Sequence, residues 1–180
     1  VQFQQMRFAR EEHISGIVIT SDVKSWKDVH PHSKYLIGRR LAMLAMKRDY
    51  GFDEIICDSP EVKEATLMDN GDVRLDFSRK TGGWYVYRSD WTTDVSFELR
   101  DSEGKWFPAA IRNMHAPTRY WDGLTGTVED DYLIVGWNRS EHLYAPTGVR
   151  YMCLPDAKGD LLTADGLPVG PFEFRINDIR

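Results

Sequence analysis

Apolar residues follow two rhythms along this chain, and the change falls near Gly51. In the opening stretch Val1-Gln2-Phe3-Gln4-Gln5-Met6-Arg7-Phe8 the spacing is helical, with Phe3 and Met6 on one face. Gly16-Ile17-Val18-Ile19-Thr20 follows, a short continuous β-branched run that predicts a strand buried on both faces. A polar connection from Ser21 to Pro31 then leads into a helix over 33–50. Leu36, Ile37, Leu41, Leu44 and Ala45 make its wide apolar face, Lys47 and Arg48 suit its negative C-terminal end, and Gly51 ends it.

From Asp53 onward strict alternation replaces the helical period, as in Val73-Arg74-Leu75-Asp76-Phe77-Ser78 and Val95-Ser96-Phe97-Glu98-Leu99-Arg100. Further strands are expected at 61–68, 106–112, 125–129, 131–137 and 148–153, which predicts an antiparallel β-sandwich. Asn70-Gly71 points to a type I′ hairpin turn and Asp101-Ser102-Glu103-Gly104 to a second hairpin turn, whereas the Gly- and Pro-rich tail from Ala157 reads as loop. The expected fold class is α/β plus β, with an α/β segment at 1–51 and a β-sandwich-like domain with a loop-rich tail at 52–180. One strand with two helices cannot bury its own apolar surface, so the first segment requires a partner sheet. The uncapped opening agrees with a chain that is part of a longer polypeptide.

Composition narrows the function classes. With 180 residues, 42% hydrophobic and 12% aromatic, the chain folds. A formal charge of -5 and the lack of basic clusters interleaved with aromatics exclude nucleic acid as a partner. No apolar run suits a bilayer and residues 1–20 lack signal-peptide order, so no membrane partner is expected. Cys57 and Cys153 are read as two small buried apolar side chains, with one long-range disulfide as the alternative.

Candidate chemistry gathers between the expected strand and the long helix, where Asp22, Ser25, Lys27, Asp28, His30, His32 and Ser33 lie. In open α/β sheets the loop leaving a strand's C-terminal end is where ligands are handled. A histidine there can act as general base to a serine elsewhere, with a carboxylate at its other ring nitrogen. On spacing alone, a polar loop with incidental histidines is the preferred reading, since an Asp-x-His triplet is a weak signal. His30-Pro31-His32 as a metal pair would need further ligands, and His115 and His142 in the β-rich region are poorly placed for it. Neither metal nor organic cofactor is expected. Trp84 and Trp121 are the candidates for stacking on sugars, Trp137 for core. Of Arg39 and Arg40, one is expected to salt-bridge within the fold and the other to face water, in preference to a clamp on a substrate carboxylate.

Three blocks, Ile17-Val18-Ile19-Thr20-Ser21-Asp22, Asp28-Val29-His30-Pro31-His32-Ser33-Lys34 and Gly38-Arg39-Arg40-Leu41-Ala42, resemble the last block of the sialate O-acetylesterases, carbohydrate esterases of the SGNH hydrolase superfamily. Gly148-Val149-Arg150-Tyr151, Gly166-Leu167-Pro168-Val169-Gly170-Pro171-Phe172 and the Pro108-Ala109 step continue the resemblance. It implies that 1–51 is the C-terminal strand and helices of an SGNH-type hydrolase domain and that His30 is the catalytic histidine. Asp28 is the candidate to orient it. The superfamily's aspartate position falls on Lys27, however, so a backbone carbonyl or a simple Ser-His dyad stays open, as does Asp22 if the loop folds back. The family's serine and oxyanion-hole blocks do not occur here, which implies a serine-bearing N-terminal part, as an upstream segment or a second chain, and an acetylated sugar as substrate. The family also implies periplasmic, secreted or lysosomal placement. Two alternatives stand beside this: an esterase for acetylated xylan, and a non-catalytic carbohydrate-binding or structural module.

Overall fold

The computed structural model describes residues 2–12, 15–23, 34–88, 96–115, 118–120, 123–138, 144–154, 157 and 159–176. It is mostly antiparallel β-sheet with two helices. Helix α1 (Gln2–Glu11) buries Met6 but leaves Phe3 and Phe8 exposed, so the expected Phe3/Met6 face is only half covered. Helix α2 (Tyr35–Tyr50) buries Leu44, and Gly51 ends it at φ 77°, its N–H donating to the Met46 carbonyl. Between the helices, residues 15–20 run without helix or strand and Ser21–Val23 make a single 3-10 turn. The strand expected at 16–20 pairs with no described strand. Ile19 is buried, whereas Ile17, Val18 and Thr20 are half-buried, so the run is not enclosed on both faces.

The rest is built from eleven described strands: β1 (Val62–Leu67), β2 (Val73–Phe77), β3 (Trp84–Arg88), β4 (Phe97–Arg100), β5 (Trp106–Ile111), β6 (Thr118–Tyr120), β7 (Gly123–Val128), β8 (Leu133–Gly136), β9 (Gly148–Tyr151), β10 (Leu161–Thr163) and β11 (Phe172–Arg175). One sheet has the order β1-β2-β8-β5-β4-β9-β11 and curls until its outer strands approach each other; the other has the order β10-β3-β7-β6. Their inner faces share one apolar cluster, with Val73, Leu75, Leu99, Leu133 and Val149 from the first and Trp84, Val86, Val128 and Leu161 from the second. Alternation places these side chains inward because successive residues of a strand face opposite sides of the sheet.

Two further expectations need correction. The tail is not simply loop: β10 and β11 lie in it, and β10 pairs with β3 while β11 pairs with β9. The Asn70-Gly71 hairpin is also not type I′. Gly71 donates to the Met68 carbonyl at 2.7 Å, Met68 N donates to Asp72 at 2.9 Å, and Gly71 alone has φ of 75°. This is a type I turn closed by a left-handed glycine, with the Asn70 side chain accepting from Asp72 N at 3.0 Å.

Candidate functional site

The two residues singled out for catalysis, His30 and Asp28, lie outside the described residues, as do Ser25, Lys27, His32 and Ser33. On the N-terminal side of that stretch, Asp22 sits in the 3-10 turn, and both its carboxylate oxygens accept from Arg40, Oδ1 from Nη1 and Oδ2 from Nη2, each at 2.7 Å. Arg40 lies on α2, on the C-terminal side. It is only 5% exposed and also donates to the carbonyls of Ile19 at 3.0 Å and Gly166 at 3.1 Å. Arg39 is exposed. The division expected for the arginine pair therefore holds, with Arg40 as the internal member and Asp22 as a partner that spacing did not identify. Both carboxylate oxygens of Asp22 are thus engaged by Arg40.

The tail reaches this junction by close backbone approach. Ser21 Oγ donates to the Val169 carbonyl at 3.5 Å. A Cβ on Gly159 would overlap Ser21, and one on Gly170 would meet Met6 at 2.9 Å and Ile19 at 3.1 Å. Glycine at both positions is what lets the β-rich part lie directly on the α1–α2 segment. Likewise the extended run crosses α2 at Gly16, where a Cβ would stand 2.7 Å from Leu44, and the Arg48 guanidinium donates to the Ser15 carbonyl.

Beside the run, Gln4, Gln5, Phe8, Gly16, Ile17 and Val18 are among the residues lining an open groove of about 760 Å³. The extended run thus has α2 on one side and an unfilled, largely apolar groove on another. Phe8 on α1 and Leu41, Met46 and Tyr50 on α2 are also exposed.

The other candidates resolve individually. Trp84, one of the two candidates for stacking on sugars, is 1% exposed and packs on Phe77 with ring centroids 4.4 Å apart. Trp121 lies outside the described residues. Trp137 is core, as expected, at 3% exposure. Cys57 and Cys153 are both free thiols. Burial, with Glu173 and Glu98 adding to it against the Arg150 charge, pushes Cys153 up to about 11, an unreactive thiol. His115 is exposed and stands 3.7 Å from Glu129, while His142 lies outside the described residues. Among the described residues no cluster of three metal-ligating side chains forms, and no helix is long and apolar enough to cross a membrane.

No family model and no curated protein matches the chain. Among solved structures it is similar to a carbohydrate acetylesterase from Xanthomonas citri, with a TM-score of 0.63 and 26% sequence identity. The match covers 87% of this chain and 31% of that one. The chain therefore spans about a third of the length of the structure it resembles.

Proposed function

We propose that this chain is the C-terminal part of a carbohydrate O-acetylesterase in which it supplies the catalytic histidine. The observation that carries the reading is the likeness to a carbohydrate acetylesterase along most of the chain. Residues 1–51 then belong to an SGNH-type α/β hydrolase domain and 52–180 form a β-sandwich beside it. The run at 16–20, which pairs with no described strand, and the open groove next to it support this division, because both suit a sheet supplied by a serine-bearing upstream segment or second chain. His30 would take the proton of the serine hydroxyl as its oxygen attacks the acetyl carbonyl, and return it to the departing sugar oxygen. Water, activated by the same imidazole, then frees acetate from the acetyl-enzyme. Asp28 is proposed to orient His30. Neither metal nor organic cofactor has a part in these steps. Sialic acid O-acetyl groups are the proposed substrate on the strength of the motif resemblance, and the protein is proposed to act in the periplasm, outside the cell or in lysosomes. The burial of Trp84 removes one of the two flat aromatics on which a non-catalytic sugar-binding reading leaned.

The test is His30→Ala in the complete protein, assayed on p-nitrophenyl acetate and on O-acetylated sialic acid beside acetylated xylan. Loss of hydrolysis with an unchanged melting temperature is expected. Undiminished turnover would remove His30 from the mechanism, and preference for xylan would replace the substrate while keeping the chemistry.

A further inference from the structure

Two arginines of α2 reach the backbone of the run at 15–20. Arg40 donates to the Ile19 carbonyl at 3.0 Å, and the Arg48 guanidinium donates to the Ser15 carbonyl. Positions eight apart on a helix are separated by about 12 Å and four residues of extended chain span about 13 Å, so the two spacings agree with an extended run lying antiparallel to α2. A Cβ on Gly16 would stand 2.7 Å from Leu44, which turns that face of the run to α2. Ile17 and Ile19 have the opposite parity and line a small cavity of about 110 Å³ with Met6 and Ala9 of α1. In an extended chain the N–H and C=O of one residue point to the same edge, and successive residues alternate between the two edges. Ser15, Ile17 and Ile19 therefore share one edge, and guanidiniums occupy it at both ends. Gly16 and Val18 share the other edge with the Thr20 N–H. Among the described residues the backbone groups of Gly16 and Val18 and the Thr20 N–H have no hydrogen-bond partner, while the Thr20 carbonyl accepts from Val23 N at 3.2 Å.

We propose that the run is the outermost strand of its partner sheet, taking one neighbouring strand along Gly16, Val18 and Thr20, with Arg40 and Arg48 closing its other edge. This rests on the esterase reading above, and the neighbour is a strand of the serine-bearing part. A row of unpaired N–H and C=O groups along a half-buried run calls for a strand, because a ladder satisfies donors and acceptors together. The open groove that follows Ser15 to Thr20 gives that strand room. The match covers only 31% of the acetylesterase, so a protein of that length has chain enough to supply it. On the closed edge the two carbonyls are already engaged by charged side chains, the device by which sheets stop further pairing.

Proline substitution in the complete protein tests the arrangement, since proline lacks the N–H and is accepted in a strand only where that group meets no neighbour. Val18→Pro is expected to melt about 5 °C or more below Val18→Ala, whereas Ile17→Pro should melt close to Ile17→Ala. A Val18→Pro that does not fold, beside a folded Ile17→Pro, is the same result in stronger form. Ile17→Pro as damaging as Val18→Pro would mean that strands pair along both edges. A harmless Val18→Pro would mean that none pairs along the edge named here. Either outcome overturns the proposal. Melting reads the sheet and not the chemistry, so a fully active His30→Ala beside the expected proline contrast would remove the histidine from the esterase reading and leave the strand arrangement standing.

Discussion

Trp84 and Tyr85 are neighbours on β3 with opposite surroundings, the indole sealed in the core and the phenol ring nearly half exposed. Period-two alternation accounts for the difference. The glycines before Trp84 suggested a surface turn, but they serve the turn at Thr81–Gly83 and the indole points inward. Its Nε1 has no acceptor among the described residues. Trp84→Ala is therefore expected to cost about 3–5 kcal/mol in urea unfolding, and Trp84→Phe distinctly less, because phenylalanine fills much of the volume without a buried donor. Asp131 holds the same turn through the Thr81 and Gly82 amides at 2.8 and 2.9 Å, and these bonds keep its carboxyl below the ordinary value of 3.8. A depressed carboxyl stabilises the fold above its unfolded-state value and loses that contribution as pH falls through the folded one. Thermal melts should thus show Asp131→Asn less stable than the native chain at pH 6, with the gap closing as pH drops below about 4.

At the level of elements, legibility followed local chemistry. The helix ending at Gly51 and the alternating strands β2 and β4 were readable because their side chains alone separate inside from outside. β10 and β11 were not, since short strands between glycines and prolines gain their definition from pairing with β3 and β9, which lie far away in sequence. The turn type at Asn70-Gly71 was misjudged for a related reason: the dipeptide fits either geometry, and the Met68–Gly71 and Met68–Asp72 bonds select one. The same arrangement recurs at Asp101–Lys105 and Thr163–Leu167, with Gly104 at φ 89° and Gly166 at 77°. Gly104 has open space where a Cβ would go, so Gly104→Ala is expected to cost only the left-handed backbone penalty, about 1–2 kcal/mol. Gly83 combines a φ of 102° with a Cβ position 2.8 Å from the Val128 carbonyl oxygen. Denaturant midpoints should therefore place Gly83→Ala clearly below Gly104→Ala.

Across the whole molecule the contrast lies between a satisfied β-rich part and a helical segment with surface to spare. Eleven described strands close over one core, yet the β-branched run at 16–20 pairs with no described strand and borders an open groove. The sequence was enough to ask for a partner sheet here, because burial requirements are visible in residue type. It did not reveal the Arg40–Asp22 junction, which joins positions on separate elements by a contact no local pattern encodes. Exposed backbone N–H groups exchange with solvent unless a neighbouring strand or a buried acceptor protects them. In the 180-residue chain alone, the amides of Ile17, Val18 and Ile19 are accordingly expected to exchange within the earliest times of a deuterium-labelling experiment, while those of Leu75 and Val149 stay protected. If the proposed serine-bearing part supplies the neighbouring strand, its presence should bring protection to Ile17–Ile19 and leave the β-strand amides unchanged. Rapid exchange at these positions in the complete protein would mean that the run is not a strand of the proposed hydrolase sheet, and the groove beside it would then need another occupant.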